Sequence, residues 1–91
     1  MKIKQLKEIA FSIKDTFVCK GVSSMKIDDL LSTLVKKTGN SRDLISNTLK
    51  EFSENHNDFI KLYDYNSISF VKIEGLSAME TIITSIENKF K

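Results

Sequence analysis

The 91 residues include no proline and no tryptophan, and only three glycines, one cysteine and one histidine. Each shortage excludes something. Without proline or glycine-rich stretches there is no linker, so one domain over residues 1–91 is expected. Cys19 has no second cysteine to pair with, which suits a reducing compartment. His56 has no second histidine and no cysteine at ligand spacing, so no metal site is expected. No apolar run is long enough to span a bilayer. The opening MKIKQLKEIA breaks its apolar residues with charges, unlike the core of a signal peptide. There is no glycine-rich phosphate loop. Asp28 and Asp29 are neighbours that point in different directions on a helix, and Cys19 lacks a histidine partner, so catalysis has no support. The chain is expected to be non-enzymatic and to need no cofactor.

What is present is an ordinary globular balance, 41% hydrophobic and 29% charged, with a net charge of only +2. The distribution of that charge says more than its sum. Residues 1–20 hold five lysines against Glu8 and Asp15, a balance of 5 − 2 = +3. Residues 40–56 hold Arg42 and Lys50 against Asp43, Glu51 and Glu54, a balance of 2 − 3 = −1.

Ile3, Leu6, Ile9, Ala10, Ile13 and Phe17 recur at three- and four-residue intervals, predicting a helix from about Lys4 to Cys19 with one buried stripe. Phe11 falls outside that stripe, beside Lys4, Lys7 and Lys14. It either packs under the last helix or the wing, or forms an apolar anchor ringed by cations for a partner. After KGVSSMK, where Val22 or Met25 can enter a short strand, Ile27, Leu30, Leu31, Leu34 and Val35 predict a second helix, Ile27 to Lys37. Asp28 and Asp29 favour its N-terminus, Lys36 and Lys37 its C-terminus, and Gly39 a left-handed stop. Asn40 or Ser41 caps a third helix whose buried residues are Leu44, Ile45, Thr48, Leu49 and Phe52.

From Asp58 to Ile73 two aromatic and β-branched runs flank the turn formers Asp64, Asn66 and Ser67, which predicts a β-hairpin with Tyr65 exposed at its tip. Ser77 and Glu80 form a capping box for a last helix burying Leu76, Met79, Ile83, Ile86 and Phe90 against the first. The sum is an α+β winged helix: a helix-turn-helix, a hairpin wing and a C-terminal helix. The third helix offers Arg42, Asn47 and Lys50 for possible DNA contact, yet its acids oppose phosphate neutralisation, and the wing tip carries an acid and no base.

Leu6, Glu8, Ile9, Ala10, Ile13, Phe17 and Val18, then Leu34, Val35, Leu49, Ser53 and Glu54, then DFIKL (58–62) and SFVKI (69–73), resemble the C-terminal winged-helix domain of the replication licensing factor that loads the MCM helicase. The match runs from about Leu6 to Leu76. Asn57 and Phe59 stand where that family has proline and tryptophan, and its additional upstream helix has no counterpart in these residues. The resemblance implies a nuclear, non-enzymatic adaptor that binds MCM subunits during origin licensing. It places Lys14 where the family carries a basic residue. Lys7, Phe11 and Lys14 are the expected partner-binding stripe. The alternative is a small winged-helix DNA-binding regulator of transcription or replication reading a groove with Arg42, Asn47 and Lys50.

Overall fold

Four helices and a three-stranded antiparallel sheet follow one another in the order α1 (Ile3–Lys20), β1 (Ser24–Lys26), α2 (Ile27–Thr38), α3 (Arg42–Asn55), β2 (Ile60–Tyr65), β3 (Ile68–Ile73) and α4 (Leu76–Lys89). The computed structural model describes residues 3–74 and 76–89, the side chains of 76–78 and 89 excepted. The architecture is α+β and has the arrangement of a winged helix. Phe90 and Gly75 lie outside the described residues, as does the side chain of Ser77 on which the expected capping box depends.

The helices form where the apolar periods place them. In α1 the buried residues are Leu6, Ile9, Ala10, Ile13, Thr16 and Phe17, one stripe. They pack with Leu30, Leu31 and Leu34 of α2, with Ile45, Leu49 and Phe52 of α3, and with Met79, Ile82, Ile83 and Ile86 of α4. Two expected details change. Leu44 is half-buried, and Ile82 is fully buried. The extra buried position widens the apolar face of α4 to the breadth needed to touch both α1 and the sheet. Thr16 and Thr48 enter the core because each hydroxyl donates to the carbonyl four residues back, Ser12 O at 2.7 Å and Leu44 O at 2.8 Å. Among the described residues no buried side-chain nitrogen or oxygen lacks a partner.

Backbone chemistry sets the joints. Gly39 closes α2 at φ 73° and donates its N–H to Val35 O. Ser41 caps α3 by accepting from Leu44 N at 3.2 Å, whereas Asn40 Oδ1 instead lies 3.4 Å from the Gln5 amide. Three residues therefore separate α2 from α3, as a helix-turn-helix requires. Asn66 and Ser67 both have positive φ, 51° and 66°, which matches a type I′ two-residue hairpin loop.

The strand order is β1-β3-β2, so β3 is central and the short strand after α1 pairs with the wing. Ser24, Met25 and Lys26 oppose Lys72, Val71 and Phe70, while Ile60 opposes Ile73 and Tyr65 opposes Ile68. Because side chains alternate across a strand, this register sends Met25, Ile60, Leu62, Val71 and Ile73 toward the helices. Ile60, Val71 and Ile73 are buried there.

Candidate functional site

Three surfaces bear residues that chemistry singles out: the outer face of α1, the outer face of α3, and the outer face of the sheet.

On α1, Phe11 is 50% exposed and Val18, seven residues on, 48%. Seven residues is close to two turns, so they stand on one line. Half of Phe11 is thus open to solvent. A shallow depression of about 470 Å³ runs beside them, lined also by Ser12, Lys14 and Asp15. The lysines differ from the expectation. Lys7 Nζ lies 3.2 Å from Glu87 and Lys14 Nζ 2.7 Å from Glu80, both on α4. Asp15 in turn holds Lys37 of α2 at 3.0 Å. Two carboxylates from α4 thus engage two of the lysines of residues 1–20, while Lys37 takes up Asp15, so the +3 of that segment falls only to 3 − 2 + 1 = +2. Two of the three lysines on the Phe11 side, Lys7 and Lys14, are therefore in ion pairs. The Lys14 ammonium holds the Glu80 carboxyl below its ordinary range, by hydrogen bond first and charge second. Cys19 is exposed on the same helix, with its Sγ 3.9 Å from Asp15 Oδ1.

On α3, Arg42, Asp43, Ser46, Asn47, Lys50, Glu51 and Glu54 are all exposed. Arg42, the chain's sole arginine, places Nη2 2.6 Å from Asp28 Oδ1 at the start of α2. Lys37, at the far end of α2, turns to α1. Asp28 and Lys37 are nine residues apart, roughly 13 Å along a helix. Arg42 and Lys37 are therefore drawn to opposite ends of α2. A cavity of about 470 Å³ lies where Arg42 and Ser46 face Ile27 and Leu31 of α2 and the wing residues Ser67, Ile68 and Ser69.

The outer sheet face was the part least visible in the sequence. The register puts Ser24, Lys26, Lys61, Tyr63, Tyr65, Ile68, Phe70 and Lys72 on it. Tyr63 and Phe70 stack with ring centroids 5.4 Å apart and planes within 12°. The Tyr63 hydroxyl reaches across β3 to within 2.6 Å of Ser24 Oγ. Alternation along β2 and β3 is legible in the sequence. The contribution of Ser24 and Lys26 is not, because it depends on how β1 meets β3.

At the junction of α1, α3 and α4, His56 lines a cavity of about 260 Å³ with Leu6, Phe52, Asn55 and Ile86 among its neighbours. Burial lowers its pKa from the ordinary 6.5. Among the described residues no three histidine, cysteine or acidic side chains gather in a way that could hold a metal ion. No helix among them is long and apolar enough to cross a membrane. No family model matches the chain, and no significant match to a curated protein was found.

Proposed function

We propose that the chain is a non-enzymatic protein-interaction module of DNA replication licensing, docking on MCM helicase subunits through the α1 face that bears Lys7, Phe11 and Lys14. The observation that supports docking is the exposed Phe11 and Val18 line: two large apolar side chains bordered by charged pairs, the composition of a buried anchor inside a polar rim. The helicase as partner rests on the sequence resemblance. The geometry of α3 favours this reading over groove reading, because Arg42 is engaged by Asp28 while Asp43, Glu51 and Glu54 stand exposed beside Asn47 and Lys50. A face of that charge gains little from phosphate neutralisation.

The test is an NMR titration of isotope-labelled protein with isolated MCM C-terminal domains, and separately with duplex DNA. Shifts should follow Lys7, Phe11, Lys14 and Val18, and Phe11→Ala should weaken binding at least about fivefold, roughly 1 kcal/mol. Phe11 is the cleaner probe, since Lys14→Glu would also set a carboxylate against Glu80. No response to the MCM domains overturns the helicase reading, and a response to duplex DNA centred on Arg42, Asn47 and Lys50 with a steep salt slope transfers the protein to the DNA-binding class.

A further inference from the structure

Along the outer sheet face the side chains fall into rows. One row is Ser24, Lys72 and Lys61, the next Lys26, Phe70 and Tyr63, and the last Ile68 and Tyr65. Successive rows are two residues apart, about 7 Å. In the first row two lysines directly oppose each other, an arrangement that costs stability in a sheet. Glu74 stands between them, 3.7 Å from Lys61 and 3.5 Å from Lys72. One carboxylate against Lys26, Lys61 and Lys72 leaves 3 − 1 = +2 on the face. The second row is aromatic. The Tyr63–Phe70 stack is held in place by the Ser24 hydroxyl, and Tyr65 beyond it is 66% exposed. Beside β2 a groove of about 590 Å³, lined by Lys61, Tyr63 and Lys72 with Ser53 and Asn57, continues the surface around the sheet edge.

The geometry points to this face as a binding site for single-stranded nucleic acid, with bases stacking on the Tyr63, Phe70 and Tyr65 rings while Lys61 and Lys72, one row away, and Lys26, at the β1 end of the aromatic row, take the phosphates. Rings flanked by ammonium groups at this spacing match a chain that alternates planar apolar bases with anions. Glu74 leaves this lysine pair at 2 − 1 = +1, a charge that one phosphodiester would match. Duplex DNA keeps its bases stacked inside and cannot use the rings, so the preference is for single strands. The site shares no residue with the α1 face and stands or falls independently of it.

Fluorescence anisotropy with a labelled mixed-sequence single strand of about a dozen nucleotides, and with the same strand annealed to its complement, tests the assignment. The single strand should bind more tightly. Tyr63→Leu should weaken it roughly 5- to 100-fold, the loss of one stacked base, while Tyr63→Phe, which keeps the ring, should retain most of the affinity. Replacing Lys61 and Lys72 together by Gln should flatten the slope of log K against log salt by about 1.4. Circular dichroism melting verifies that each variant is folded. Equal or tighter binding of the duplex, unchanged affinity in folded Tyr63→Leu and Lys61→Gln/Lys72→Gln proteins, or capture of an acidic peptide by this face with no binding of the single strand, overturns the proposal.

Discussion

His56 and Glu80 respond to pH in opposite parts of the range. Burial depresses the His56 pKa below 6.5 in the folded protein, so as pH falls the unfolded chain takes up that proton first. The stability tied to neutral His56 is whole above 6.5 and declines as pH drops below it. Glu80 has its folded pKa lowered by Lys14, so its contribution is present above the ordinary 4.5 and disappears as pH falls through and below that value. Urea unfolding should therefore show a lower midpoint at about pH 5.5 than at about pH 7.5. His56→Gln should remove most of that difference. An unchanged pH profile in the variant would mean that other groups carry it. Gly39 is a second single-residue test. A methyl group there would meet nothing within 4 Å, so Gly39→Ala isolates the cost of φ 73° for an L-residue, about 1–2 kcal/mol. A melting temperature unchanged from wild type would contradict the left-handed stop.

The wing shows how an element carries its own strain. A type I′ turn needs φ > 0 at both central residues and favours glycine at the second, yet this chain has Ser67 at φ 66°. Ser67→Gly should stabilise the protein by about 0.5–1 kcal/mol, the relief of the left-handed penalty less the entropy of a freer unfolded chain. Thermal unfolding is the measurement, and a fall in melting temperature would reject the turn assignment. Beyond Ile60 every residue of β2 is exposed. Its hold on the molecule therefore comes from the ladder to β3 and from the tyrosine stack. The α1–α4 pair behaves differently: Ile9 and Ile13 meet Ile82 and Ile83 in the core, and the two ion pairs at the rim are solvent-exposed. Exposed pairs of this kind add little to stability. The buried stripes of the two helices fix which way each faces.

For the whole molecule, a radius of gyration of 12.2 Å equals the roughly 12 Å expected for a compact 91-residue chain. A domain of this size has a total stability of about 5–14 kcal/mol. Ile82→Ala, at a fully buried position, should remove about 2–5 kcal/mol of that, seen as a large drop in the urea midpoint with cooperativity kept. A loss below about 1 kcal/mol would mean that α4 is not packed as described.

The sequence by itself determined which stripe of each helix is buried, where α2 stops and where the hairpin turns, because a 3.6-residue period, a glycine before a cap and a pair of turn formers act within a few residues of one another. It also made Phe11 a position to question, since an aromatic off the apolar stripe conflicts with local pattern. Tertiary structure alone decided what surrounds that ring. Lys14 meets Glu80 across 66 residues, Lys37 meets Asp15 across 22, and the Tyr63 hydroxyl meets Ser24 across 39. Charge counted along the chain gave α1 a surplus of cations, whereas the fold pairs Lys7 and Lys14 with carboxylates from α4 and Asp15 with a lysine from α2. The same distance in sequence hid the sheet face, whose three strands come from two separate parts of the chain. Burial is a property of local periodicity, but electrostatic neighbours are set by which elements dock, and no count along a chain contains that.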